Sequence, residues 1–146
     1  MLVPGVLVLM NLSYALAAYP AGILSDRRDR TDTLAVGMAL LLTADLVLAL
    51  CSSIAGIAAG VLLWGLHMGF TQGIVASLVA DTAPADLRGT AYGVINLVTG
   101  IGLLAASLLA GGLWDWVGAA GTFLTGAALA LVSLAGLLLV RRRVFA

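Results

Sequence analysis

Lysine and glutamate are both absent from this chain of 146 residues, so every ionic role falls to seven arginines and seven aspartates, whose formal charges cancel. Charged residues make up 10% of the sequence, against roughly a quarter in soluble proteins. A single cysteine, Cys51, excludes an intramolecular disulfide, and with one histidine it makes no convincing zinc set. Cys51 reads as a small apolar packing residue. No basic face exceeds Arg141 to Arg143, so nucleic acid is not an expected partner. No loop gathers His, Cys, Asp or Ser into a nucleophilic or metal-binding set, so neither catalysis nor a cofactor is expected.

What the chain has instead is apolar length. With 62% hydrophobic residues and a mean hydropathy of +1.16, it is expected to reside in a lipid bilayer. Five windows are long enough to cross one: 2–24, 34–54, 57–80, 90–113 and 117–140. Backbone in lipid must satisfy its own polar groups, and runs this long without strand-like alternation do so only as helices. The expected fold class is therefore all-α, a polytopic transmembrane bundle of five spans. Of the fourteen charged residues, only Asp45 falls inside a window. Ala15-Leu16-Ala17 could pass for a signal-peptide cleavage site. However, Met1 to Gly5 carries no positive charge and the apolar stretch is longer than a signal core, so the first window reads as a retained span. Pro4 suits a first turn, whereas Pro20 is expected to kink the helix near its end.

Orientation follows from arginine. If the windows alternate, loops 25–33 and 81–89 and the tail 141–146 share one side and hold all seven Arg. That side is expected to be the cytoplasm of a cell with its inner, plasma membrane as host. Trp114 and Trp116 suit the opposite interface. Arg141 to Arg143 are expected to anchor the last helix to anionic head groups. Five spans with a cytoplasmic tail put Met1 outside, and an uncharged start is poorly equipped to translocate. At least one further helix upstream is therefore expected.

The segment from Gly22 to Arg30 concentrates five charges in nine positions between apolar runs. Gly22-x-Leu24-x-Asp26 returns 89 residues later as Gly111-x-Leu113-x-Asp115, on the opposite face of the membrane in this topology. Inverted repeats of about three helices are a common construction of secondary transporters. Arg27 and Arg28 are replaced there by Trp116 and Val117, as a change of side requires.

Polar residues inside the windows are the candidate working parts. Asp45 lies about 16 Å into its span, and an intramembrane carboxylate can carry a proton or pair with a cation. In the third window, at 100° per residue, Gly65, Gly69 and Gly73 share one face, and Trp64, His67 and Thr71 lie almost opposite. Glycines four apart permit close helix contact, which leaves the Trp64, His67 and Thr71 face for a cavity. His67 titrates in the physiological range and could shuttle protons. Tyr92, Asn96 and Thr99 recur at helical spacing in the fourth window, and the first adds Asn11 and Tyr14. These groups could bond a substrate, or one another.

The Gly22 to Arg30 segment resembles the signature loop of the major facilitator superfamily, Gly-x-x-x-Asp-Arg-x-Gly-Arg-Arg. Gly22, Asp26, Arg27 and Arg30 stand in matching positions, with Asp29 in place of the family glycine and Thr31 in place of a basic residue. Leu87-Arg88-Gly89-Thr90-Ala91-Tyr92-Gly93 and Gly112-Leu113-Trp114-Asp115 are similar to the second half of such permeases. The resemblance implies helices eight to twelve of a twelve-helix fold, with helix seven and the N-terminal half as a missing partner. It implies a cavity met by the helices of Asn11, Tyr14, Trp64, His67, Thr71, Tyr92 and Asn96, and a peripheral ninth helix for Asp45. It also implies that Gly22 allows a close backbone approach and that Asp26 latches against a helix N-terminus. The expected function is proton-coupled transport of a small solute by alternating access, with His67 and Asp45 as carriers. The alternative is a truncated, non-transporting remnant or a scaffold subunit.

Overall fold

The structure, a computed structural model, describes the backbone of residues 2–27 and 29–144 and the side chains of residues 4–27 and 29–140. The placing of Met1, the role of Arg28, and the anchoring expected of Arg141 to Arg143 in the tail lie outside the described residues. Everything described is helix or short connection. The helices are α1 (Leu2–Arg27), α2 (Arg30–Leu50), α3 (Ile54–Thr82) and α4 (Arg88–Val144). All four are long and apolar enough to cross a membrane.

Caps, rather than hydropathy, set the boundaries. Asp29 caps α2 by accepting a 2.9 Å bond from the Thr31 amide, and Ser53 caps α3 by accepting from the Gly56 amide at 3.1 Å. Ala83 ends α3 in an extended conformation, as the residue before Pro84 must. The two arginine-side connections are accordingly shorter than 25–33 and 81–89, and much of their charge rides on helix ends. Pro20 lies within α1, which runs on to Arg27.

The expected five spans are corrected to four helices. No loop separates windows 90–113 and 117–140: α4 is one element of 57 residues whose helical geometry is broken inside at Gly118, with φ 73° and ψ −176°. Positive φ costs glycine little, so one residue accomplishes what a loop was expected to do. The ring centroids of Trp114 and Phe123 lie 6.4 Å apart, edge to face. A straight helix would separate residues nine apart by about 13.5 Å along its axis, so the first and second limbs of α4 fold towards each other at Gly118.

Packing places α3 between α1 and α2, and α2 between α3 and the second limb of α4; α1 and α2 touch little. The buried core is built largely of small residues, among them Ala17, Ala21, Ala44, Ala127 and Ala130, whereas Leu97, Leu103, Leu104, Leu108 and Leu109 of the first limb are exposed. Lipid offers no hydrophobic gain to helices that meet, so close backbone approach has to hold them. A Cβ built on Gly69 would sit 2.6 Å from Ala17 Cβ and 3.1 Å from the Ala17 backbone carbon, and one on Gly37 would sit 2.6 Å from Thr71 Cγ2. Gly65 is equally committed, to Ser13 and the Met10 carbonyl, whereas Gly73 has nothing within 4 Å.

Gly69→Val is expected to destabilise the bundle by about 1–3 kcal/mol, as overpacking does. Thermal unfolding in detergent should show a lowered midpoint for Gly69→Val and an unchanged or slightly raised one for Gly73→Ala.

Candidate functional site

The faces of α3 decide where polar groups go, because α3 packs against both α1 and α2. Its Gly65 and Gly69 meet α1. Its His67 and Thr71 meet α2: His67 Nδ1 donates to the Gly37 carbonyl at 2.8 Å, and the Thr71 methyl lies against Gly37. The face expected to be free for a cavity is thus met by α2 at His67 and at the Thr71 methyl, while Thr71 also borders a groove on the side of α4. The two helices meet because α2 brings its own glycine to the contact. Trp64, a turn earlier, remains half exposed.

Three of the concave regions beside α3 hold the residues singled out in the sequence. The first lies between its C-terminal half and the first limb of α4, a groove of about 370 Å³ lined by Thr71, Gln72, Val75, Ala76, Val79, Tyr92, Ile95, Asn96 and Thr99. Tyr92 Oη donates to the Ala76 carbonyl at 2.8 Å and ties the limb to α3, while Thr71 Oγ1 donates to the His67 carbonyl at 2.9 Å. The second, of about 260 Å³, runs between α1 and α3 and brings Tyr14, Gly22, Ser25 and Asp26 to Gly69, Gly73 and Ser77. The third, about 580 Å³, lies at the Cys51 end and is largely apolar, with Met10, Trp64, Trp114 and Phe123 among its walls.

The sequence candidates are therefore distributed. Thr71, Tyr92 and Asn96 come together in the first groove, Tyr14, Gly22 and Asp26 in the second, and Trp64 in the third. Asn11 is exposed on α1, and its side-chain amide donates to the Leu7 carbonyl at 2.8 Å. Gly22 has nothing within 4 Å of a built Cβ, so the close approach expected there is not made among the described residues. Arg30 pairs with Asp81, which joins the start of α2 to the end of α3; Asp26 and Arg27 stay exposed. Gln72 is a lining residue that helical spacing did not single out, because it falls between the two faces compared. Among the described residues no three His, Cys, Asp or Glu side chains gather closely enough to hold a metal ion.

Asp45 is set apart from all three regions. It is 7% exposed and faces Gly126 of the second limb of α4, where a built Cβ would lie 2.7 Å from Oδ2. It makes no hydrogen bond or ion pair among the described residues. Because α2 begins at Arg30 and ends at Leu50, Asp45 sits about 7.5 Å beyond the helix midpoint towards Cys51, further from the centre than its window implied.

Polar side chains thus line parts of two grooves beside α3, within helices apolar enough to cross a membrane. Comparison with known proteins gives the family. Residues 4–145 match the model of the Major Facilitator Superfamily. An MFS-type transporter of Methanocaldococcus jannaschii is 35% identical over 133 residues, which cover 91% of this chain and 33% of that protein. The chain thus spans about a third of the length of that relative. With four apolar helices, a signature-like loop and a match over nearly its whole length, this multi-pass membrane chain belongs to the major facilitator superfamily.

Proposed function

We infer that the chain forms one wall of a secondary transporter that moves a small solute by alternating access, and that it does so as the last helices of a permease working against an N-terminal bundle. The observation that carries this is the groove of Thr71, Gln72, Tyr92 and Asn96. These are polar groups within helices that otherwise expose apolar surface, and two of them, Gln72 and Asn96, make no hydrogen bond among the described residues. Such groups are costly against lipid and are retained where they meet water or solute. Family membership and the transporter relative support transport in general.

The finer features of the reading extend the same logic. Both limbs of α4 cross the membrane, Gly118 being the outer elbow, so five crossings place the N-terminus outside and the C-terminus in the cytoplasm of a cell whose inner membrane holds the chain. The clustering of Arg27, Arg30 and Arg88 at one end of the bundle supports this orientation. His67 and Asp45 are the proposed proton carriers. His67 keeps one ring nitrogen beyond its bond to Gly37, and Asp45 has no partner among the described residues.

Cys51, the single and exposed cysteine, makes the topology measurable. A membrane-impermeant maleimide should label it in intact cells, while a fluorescent protein fused after Ala146 should fluoresce from the cytoplasm. An outward C-terminus would reduce α4 to one crossing. Transport is expected in sealed vesicles carrying the chain together with a separately expressed N-terminal half, with a pH-sensitive dye reporting solute-driven proton movement. His67→Ala combined with Asp45→Asn should cut that signal at least tenfold. Full retention would remove both residues as carriers, and inactivity with every solute would favour the scaffold or remnant reading.

A further inference from the structure

The groove between α3 and the first limb of α4 has an unusual balance of hydrogen-bonding groups. No Asp, Arg or His lines it; its polar members are Thr71, Gln72, Tyr92, Asn96 and Thr99. A permanent ion held there would give up hydration with no counter-charge on this wall to replace it. The hydroxyl protons of Tyr92 and Thr71 are already spent on the Ala76 and His67 carbonyls, which leaves both oxygens with acceptor capacity only. Gln72 and Asn96 make no hydrogen bond among the described residues. Each carboxamide therefore offers an N–H donor beside a C=O acceptor in one plane. A pair of neighbouring hydroxyls matches that edge, one donating to the carbonyl while the other accepts from the amine.

Apolar surface completes the match. Val75, Val79 and Ile95 line the same groove and can meet the C–H face of a solute whose edges are hydroxylated. Its volume of about 370 Å³ lies within the roughly 300–1,000 Å³ of small-molecule sites. Resting on the transporter reading above, we propose that this groove receives an uncharged, polyhydroxylated solute, with Gln72 and Asn96 as the residues that read its hydroxyl pairs.

Saturation-transfer NMR on the whole chain in lipid nanodiscs tests this, with D-mannitol, choline and gluconate as neutral, cationic and anionic probes. Mannitol should receive saturation where the two ions do not, and Gln72→Leu and Asn96→Leu should each weaken it by about fivefold, the scale of one net hydrogen bond. Gln72→Glu, which keeps shape and adds charge, should lose mannitol and gain choline. A stronger signal from choline or gluconate in the unaltered chain, mannitol binding indifferent to all three substitutions, or no signal from any probe overturns the proposal. Mannitol binding that follows the substitutions, with no solute movement in the vesicle assay, sustains the site and removes the transporter reading. Movement of a charged solute alone does the reverse.

Discussion

The seating of α3 between α1 and α2 through bare backbone is the constraint on which the rest of the bundle depends. Helices already dissolved in lipid gain nothing by hiding apolar surface from one another, so what holds them is contact too close for a side chain. Gly65 and Gly69 make that contact on one side of α3, and Gly37 of α2 makes it on the other. With α3 held on two sides, its remaining arc becomes the shared wall of the grooves, and Thr71, Gln72 and Tyr92 acquire fixed neighbours. Large side chains such as Leu97, Leu104 and Leu108 are correspondingly left facing outwards.

Much of this could be read from residue order because the bilayer allows so few solutions. Long apolar runs had to be helices, and the glycine spacing in the third window identified, at Gly65 and Gly69 but not at Gly73, the surface that packs on α1. Helix starts were less legible: hydropathy reports where lipid begins, whereas Asp29 and Ser53 end the chain's irregular backbone by bonding amides a few residues on. The break between windows 90–113 and 117–140 was legible from Trp114, Asp115 and Trp116, but its form was not: a single glycine at Gly118 does the work of the loop expected there. His67 illustrates a different limit. A helical wheel gives the direction of a side chain but not what stands opposite, and only the structure shows Gly37 waiting there. The pairing of Arg30 with Asp81, 51 residues apart, was equally invisible along the chain.

The charged segment that interrupts the first apolar run also changes character. As a sequence it is a hinge between spans; in the fold its members belong mostly to helix ends. Asp29, a departure from the family pattern, caps α2, and Arg30 reaches the end of α3. Exposed pairs of this kind contribute about 0–1 kcal/mol, so the Arg30–Asp81 contact matters less for stability than for keeping two helix ends in register at the surface.

The two limbs of α4 are unequally held. The second is docked on α2, where Gly126 meets Asp45, whereas the first touches α3 chiefly near Tyr92 and otherwise presents exposed apolar surface. Because a single glycine joins them, no slack exists between the limbs. The first limb is thus tethered rather than docked: Tyr92 ties one end to α3, and at the other Gly118 hands it to the packed limb beside the aromatic pair of Trp114 and Phe123.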